Sequence, residues 1–209
     1  MSTERDEGTR RWNEQQAGLI AVAAMAAVMW VVEIVDQVSG DDLDRFGIRP
    51  RAVDGLDGVL FSPFLHGSFG HLIGNTVPFV IMGGVIALSG AARVLVVTAI
   101  VGLVAGLGTW LTAPDNSITV GASGIVLGYA TYLLTRGIFS RRLGQILVGV
   151  IVGVVWGGSL LLSLVPREGV SWQAHFFGAV GGVLAAYLLN ARPDRPDRRT
   201  PDERGARPW

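Results

Sequence analysis

The feature that most constrains this chain is a series of long apolar runs separated by short charged or proline-containing segments. The first run, residues 17–32, is apolar throughout, and half of the 209 residues are hydrophobic. A helix needs about 20 such residues to cross a bilayer, so the chain has room for about six crossings in one domain. We therefore predict an all-α membrane protein, a six-transmembrane-helix bundle.

The predicted helices divide the chain into three parts. Residues 1–16 are polar and without apolar periodicity, which predicts a mobile cytoplasmic N-terminal arm. Residues 192–209 are rich in arginine and proline, which predicts a disordered cytoplasmic tail. The six-helix domain lies between them at residues 17–191, with spanning helices predicted at 17–38, 69–88, 94–112, 118–135, 144–165 and 172–191.

The distribution of positive charge gives the predicted bundle an orientation. All 17 basic residues are arginine, and with six crossings 13 of them fall on the side of the two termini. Because cytoplasmic segments carry an excess of positive charge, we expect a multi-pass protein of the cell membrane with both termini in the cytoplasm. Residues 39–65 then form a long first extracytoplasmic loop, whose apolar stretch at 59–65 is too short to span.

Composition excludes several kinds of site. Without cysteine, the chain cannot form disulfides, thiolate metal sites or a cysteine nucleophile. Without lysine, it cannot form a Ser–Lys dyad or a Schiff base. The sequence also indicates neither a cofactor nor a nucleic-acid partner, and it does not indicate an oligomeric state.

Polar groups gather at the same end of three predicted helices. His71 and Asn75, four residues apart, share one face near the start of the second helix. Ser123 lies about one turn into the fourth helix, and His175 about one turn into the sixth. The predicted topology puts all four at a similar depth below the outer surface. Because a histidine within a membrane is costly and usually functional, this convergence indicates a site.

The surroundings of Ser123 allow two interpretations. Small residues in the stretch GASG at 121–124 allow close helix packing. Alternatively, the same glycines let a substrate carbonyl approach the backbone amides beside a serine nucleophile. Glycine pairs four residues apart on the fourth and sixth helices would bring these two helices together, although the same spacing recurs elsewhere in a chain with 29 glycines.

The four polar groups suffice for acyl-transfer chemistry. Neutral His175 can take the proton of Ser123, and the attack on a carbonyl then leaves an oxyanion. The amide of Ser123, the side chain of Asn75 and an N–H of His71 are available donors to it. Since no acidic residue lies at that depth in these helices, the sequence predicts a Ser–His dyad.

Three stretches carry these residues: HGSFGHLIGN at 66–75, GASG at 121–124 and AHFFGAVGG at 174–182. In order and spacing they resemble the motifs of rhomboid intramembrane serine proteases, in the bacterial six-helix form, over roughly residues 17–190. The resemblance implies a rhomboid-like fold and transmembrane protein substrates cleaved among membrane lipids, without a cofactor or metal. It implies Ser123 as nucleophile, His175 as general base, and His71, Asn75 and the Ser123 amide as the oxyanion hole. It further implies structural support from His66, Gly121, Gly124, Gly178 and Gly182.

Two positions depart from that family pattern. Residues 57–58 are Asp-Gly, where many members have a Trp-Arg pair in the first loop. Leu127 stands where many members have an aromatic residue on which the catalytic histidine rests. Either His175 packs more loosely here, or another group such as Phe176 or Tyr129 replaces that aromatic residue.

Two other functions compete with proteolysis. A non-catalytic rhomboid-like scaffold would bind client transmembrane helices, but relatives of that kind usually lack the serine or the histidine, and this chain has both. A membrane metal site could use His66, His71 and His175 as ligands. That reading leaves the serine motif unexplained.

Overall fold

The computed structural model describes residues 2–40, 42–167 and 169–191, and within them it contains helices, turns and two isolated β-bridges. The all-helical class predicted from the sequence is confirmed. Three 3-10 turns at Leu43–Phe46, Val53–Gly55 and Ser62–Phe64 lie between the first two long helices. The helices are α1 Ser2–Ser39, α2 Gly58–Phe61, α3 Phe69–Ala87, α4 Ala91–Thr112, α5 Ser123–Ser140, α6 Leu143–Ser163 and α7 Trp172–Asn190.

Five of the described helices, α1, α3, α4, α6 and α7, are long and apolar enough to cross a membrane. The helix α5 is not among them, because Thr131, Thr135 and Arg136 interrupt its apolar residues. Most of α5 is buried against the other helices. A helix enclosed in this way can carry polar residues that a lipid-facing helix cannot. The helices therefore indicate a multi-pass membrane protein, and the crossing by α5 stays a prediction.

The start of α5 differs from the prediction. The helix begins at Ser123, five residues later than expected, because Thr119 pairs with Ile48 in a β-bridge and Gly121 has a φ of +110°. Only glycine adopts that φ without strain, so the chain cannot be helical there. Ser123 is consequently the first residue of its helix rather than a residue one turn inside it.

The N-terminal segment is helical. Helix α1 begins at Ser2, so residues 2–16 continue the first helix, and the mobility of this arm stays a prediction. The side chain of Gln15 donates to the carbonyl of Leu88 at 3.0 Å, which ties this extension to the end of α3. The predicted tail at 192–209 lies outside the described residues.

The segment between α1 and α3 is anchored on the C-terminal end of α4. Arg51 donates from its guanidinium to the carbonyl oxygen of Ala113 at 2.7 Å. In the other direction, the indole N–H of Trp110 donates to the carbonyl of Ala52 at 2.9 Å. Arg51 and Trp110 therefore anchor this segment, although positions 57–58 themselves carry neither an arginine nor a tryptophan.

Helices α5 and α7 approach each other closely through glycine. A Cβ placed on Gly178 would lie 2.1 Å from the carbonyl oxygen of Gly124, and one on Gly182 would lie 2.1 Å from that of Gly128. Neither position can accept a side chain unless the two backbones separate. Small residues let helix backbones come together in this way, and the contact brings the first turns of α5 and α7 side by side.

Helix α6 packs on the core along one face, which carries Gly149, Val152, Trp156 and Leu160. Near the start of the helix the backbone of Ile146 lies against Gly137 of α5, where an added Cβ would be 2.6 Å from the Ile146 nitrogen. On the opposite face, an added Cβ on Gly157 or Gly158 would have no neighbour within 4 Å, and Leu161 is 71% exposed. That face of the C-terminal half of α6 is therefore open to its surroundings.

Candidate active site

The segment that precedes Ser123 is held by backbone bonds to the first loop. Ile48 and Thr119 exchange two backbone hydrogen bonds, of 2.9 and 3.0 Å. The N–H of Gly121 donates to the carbonyl of Ser62 at 2.8 Å. These bonds, together with the positive φ of Gly121, fix the direction in which the chain enters α5.

Ser123 and His175 are hydrogen-bonded partners. The Nε2 atom of His175 lies 2.8 Å from the Oγ atom of Ser123. His175 is 7% exposed, and the serine is half-buried. Because Ser123 is the first residue of α5, its backbone N–H has no acceptor within the helix and lies at the positive end of the helix dipole.

The other nitrogen of the His175 ring determines its tautomer. Its Nδ1 atom lies 2.6 Å from the carbonyl oxygen of Ser163, at the C-terminal end of α6. A carbonyl oxygen can only accept, so Nδ1 carries the proton and donates it. In the neutral ring Nε2 is then the acceptor, and the hydroxyl of Ser123 donates to it. This is the tautomer that a general base acting on Ser123 requires.

His71 and Asn75 lie beside Gly121. A Cβ on Gly121 would be 2.6 Å from Cε1 of His71 and 3.4 Å from Nδ2 of Asn75, so the glycine makes room for both side chains. Asn75 is 5% exposed, and its Nδ2 has no hydrogen-bond partner among the described residues. A buried amide without an acceptor is costly, and it is available to an oxygen atom that enters this space.

His66 supports the nucleophile segment from below the first loop. The N–H of Ala122 lies 3.4 Å from Nε2 of His66, which accepts from it, and the ring packs edge-on against His71 with centroids 5.1 Å apart. Burial, together with the charge of nearby His71, lowers the pKa of His66 to about 4. His66 is therefore neutral near pH 7 and acts as an acceptor rather than as a charge.

The two residues considered as an aromatic support for His175 lie elsewhere. Tyr129 is fully buried on another face of α5, where its ring stacks on Phe79 at 5.4 Å and its hydroxyl bonds to Thr98. Phe176 is 46% exposed, with its ring edge-on to Phe177. No contact with His175 supports the prediction that one of these two rings replaces the aromatic residue missing at 127.

An open cleft reaches one side of the candidate site, at His71. A cleft of about 740 Å³ lies between the α4–α5 loop and the α6–α7 loop, and His71 forms part of its wall. The polar side chains of Ser117, Thr119 and Ser171 also line it. A hydrolytic reaction at Ser123 could draw its water from this cleft.

Sequence reasoning missed two backbone acceptors that shape the site. The carbonyl of Ser62 holds Gly121, and that of Ser163 holds the ring of His175. A carbonyl group is present in every residue, so no pattern of residue types could have indicated these two. In the described residues, no group of three or more His, Cys, Asp or Glu side chains could hold a metal ion, which gives the three-histidine metal site no support.

Comparison with known proteins gives matches along most of the chain. The family model described as Rhomboid domain matches residues 55–192. "Uncharacterized protein Rv1337" of Mycobacterium tuberculosis is 43% identical over 190 residues, covering 87% of this chain and 78% of that protein. "Uncharacterized protein ML1171" of Mycobacterium leprae is 39% identical over 199 residues, with 91% and 76% covered. "Putative rhomboid protease YdcA" of Bacillus subtilis is 28% identical over 186 residues, with 83% and 89% covered.

Proposed function

The chain belongs to the rhomboid family, and we propose that it is an intramembrane serine endopeptidase that hydrolyses peptide bonds in or near the transmembrane segments of membrane proteins. One observation carries the proposal: His175 stands 2.8 Å from the hydroxyl of Ser123, in the tautomer that can accept its proton. A helix contact made only for packing would not need a buried imidazole bonded to the serine.

In the proposed acylation step, Ser123 attacks the carbonyl carbon of the scissile bond while its proton moves to Nε2 of His175. The developing oxyanion accepts from the backbone N–H of Ser123, from Nδ2 of Asn75 and from His71. Each such donor contributes about 3–4 kcal/mol in comparable hydrolases. His175 then gives its proton to the nitrogen of the leaving amine, and the C–N bond breaks.

Deacylation repeats the same proton transfers with water. A water molecule from the cleft gives a proton to His175 and attacks the acyl carbon, and the proton returns to Oγ of Ser123 as the ester bond breaks. The carbonyl of Ser163 keeps the ring in one orientation through both steps, and it accepts from Nδ1 while the ring is positively charged. It does so without a carboxylate, in keeping with a dyad.

The proposal includes six crossings, with α5 as the enclosed one and both termini in the cytoplasm of a bacterial cell. Support for it comes from the excess of arginine on the side of the termini. In this orientation Ser123 lies toward the outer surface, beneath the loop at 39–65. The substrates would be transmembrane proteins that present a flexible or helix-breaking segment at that depth.

The test compares three alanine variants on a fluorogenic transmembrane substrate reconstituted in liposomes. Ser123→Ala and His175→Ala should each lower the cleavage rate by about 1,000-fold or more, with thermal unfolding near that of wild type. Ser89→Ala, an exposed serine in the α3–α4 turn, should cleave at the wild-type rate. A fluorophosphonate should label the wild type and Ser89→Ala but not Ser123→Ala.

The alternative is a non-catalytic scaffold that binds client transmembrane helices. It predicts that Ser123→Ala retains client binding and that the wild type neither cleaves nor reacts with the fluorophosphonate. Cleavage by Ser123→Ala at the wild-type rate would refute the proposed mechanism. Both functions require the same fold, so only the chemical assays separate them.

A further inference from the structure

A buried arginine lies at the end of α5 opposite to Ser123. Arg136 follows the serine by 13 residues, which places it about 20 Å farther along the helix axis. It is only 6% exposed, in the last turn and a half of the helix. A guanidinium removed from water requires an anion or a full set of hydrogen-bond acceptors, since it cannot lose its charge.

The described residues supply that partner only in part. The guanidinium carbon of Arg136 lies 5.8 Å from the centroid of the Tyr132 ring, and the side chain of Tyr132 also forms a hydrogen bond with the guanidinium. The Nε atom is shielded from solvent and has no hydrogen-bond partner. The two ion pairs of the described residues, Arg49–Asp54 and Arg51–Asp115, lie in the first loop and at the α4 C-terminus.

A second arginine increases the positive charge at this end. Arg93, in the first turn of α4, donates from Nη1 to the carbonyl of Leu189 at 2.8 Å, and its charge acts on Arg136. A carboxylate does lie nearby, since Glu14 approaches the α3–α4 turn at Gly90. It is exposed, however, and it forms no ion pair with either arginine. Within the described part of the chain, therefore, no carboxylate forms an ion pair with Arg93 or Arg136.

We propose that Arg136 and Arg93 bind the phosphate group of an anionic phospholipid. The planar guanidinium matches the geometry of a phosphate and can donate to two of its oxygens at once. The site lies within about one turn of the end of α5, at the depth where headgroups meet the ends of spanning helices. Basic pockets between helices near this depth are typical sites for anionic headgroups. The inference concerns the membrane rather than the substrate, and it does not depend on the proposed proteolysis.

The test measures lipid binding to the full chain by native mass spectrometry. Purified protein is titrated with phosphatidylglycerol and, separately, with phosphatidylcholine of the same acyl composition. Wild type should bind phosphatidylglycerol about tenfold more tightly, and Arg136→Gln should lose this preference. The matched control is Arg142→Gln, an exposed arginine in the α5–α6 turn, which should keep it.

A second variant and a competition with inorganic phosphate complete the test. If Arg136→Gln does not fold, Arg93→Gln should still reduce the preference for phosphatidylglycerol by several-fold, because half of the phosphate site is removed. Equal binding of the two lipids by wild type would overturn the proposal, as would an unchanged preference in both variants. Displacement of the lipid by millimolar inorganic phosphate would overturn the assignment to a lipid and indicate a site for free phosphate.

Discussion

The two halves of the Ser–His pair are held in very different ways. The segment that carries Ser123 is fixed from several sides, by the Ile48–Thr119 bridge and by bonds from Gly121 and Ala122 to the first loop. The ring of His175 makes a single hydrogen bond besides that to the serine, and its acceptor is the carbonyl of Ser163 on α6. The backbone before the nucleophile is thus fixed by several hydrogen bonds, whereas the ring of the base has one hydrogen bond besides that to the serine to orient it.

The helix that supplies this contact also has the smallest buried share of the five apolar helices, 11%. Gly157 and Gly158 of α6 face open space, and Leu161 is largely exposed. Different parts of the fold therefore fix different properties of the site: the first loop and the α5–α7 contact fix the position of the two residues, and α6 fixes the orientation of the His175 ring. Such a division predicts different consequences for changes on each side, in stability for the first and in rate for the second.

The largest effect is expected where the two halves meet. In Gly178→Ala the new methyl group would lie 2.1 Å from the carbonyl oxygen of Gly124, so α5 and α7 must separate. We expect a loss of about 3 kcal/mol in the free energy of unfolding, at the upper end of ordinary overpacking, because backbone atoms cannot turn aside. Displacing His175 from Ser123 by about 1 Å should lower the cleavage rate by about 100-fold.

The control for this change is Gly158→Ala on α6, where the methyl group meets no neighbour. That variant should be as stable as wild type or more stable by up to about 1 kcal/mol, because alanine favours the helix. Thermal unfolding in detergent and cleavage in liposomes measure both variants. Equal losses of stability and cleavage rate in Gly178→Ala and Gly158→Ala would show that the site does not depend on the close α5–α7 contact.

The next prediction concerns how the stability of the nucleophile side of the site depends on pH. The pKa of His66 is about 4 in the folded protein and about 6.5 when exposed, so between these values the unfolded chain binds more protons. Stability is therefore full above pH 6.5 and falls as the pH is lowered toward 4, by up to about 3 kcal/mol. In His66→Phe this part of the slope should be absent.

Chemical unfolding of wild type and His66→Phe at pH 7.5, 6 and 5 measures the slope. Because His71 and His175 remain in both proteins, the difference between the two curves isolates His66. A parallel pair of curves would mean that His66 is protonated, or not buried, in the folded protein. The variant should also be less stable at pH 7.5, since the N–H of Ala122 loses its acceptor.

The sequence predicts the placement of the nucleophile better than the orientation of the base. Side-chain identity and spacing placed Ser123, His175, His71 and Asn75 at one end of three helices, and the glycine spacing predicted the approach of α5 and α7. Hydrophobic runs gave most helix ends to within a few residues. The predicted start of α5 was wrong, because the Ile48–Thr119 β-bridge and the positive φ of Gly121 override the apolar pattern.

What orients His175 could not be predicted for a related reason. A sequence can display an aromatic side chain at 127, 129 or 176, or an acidic side chain at the same depth in these helices. The structure supplies a main-chain carbonyl instead, from a helix that the sequence marks only as apolar. Every residue has a carbonyl group, and only the fold determines which one accepts a hydrogen bond from His175, so a pattern of residue types cannot indicate it.

The base side is tested by weakening that carbonyl alone. Incorporating the α-hydroxy analogue of leucine at Leu164 turns the Ser163 carbonyl into an ester, which accepts a hydrogen bond less well. It also removes the Leu164 N–H, which donates to Leu161 at 3.2 Å. The same replacement at Val165 is a matched control, because it removes an equivalent N–H bond to Leu162 and leaves the carbonyl of Ser163 intact.

Losing about 1 kcal/mol from this bond should lower kcat about fivefold in the ester at 164, with KM unchanged, whereas the ester at 165 should match wild type. The tautomer supplies a second reading that a merely structural role would not change. In ¹⁵N spectra of histidine-labelled protein, His175 should carry its proton on Nδ1 in wild type and in the ester at 165, and should populate the Nε2–H form in the ester at 164. If rate and tautomer were unchanged at 164, the ring would be held by something other than α6, and the two halves of the site would not differ in the way described.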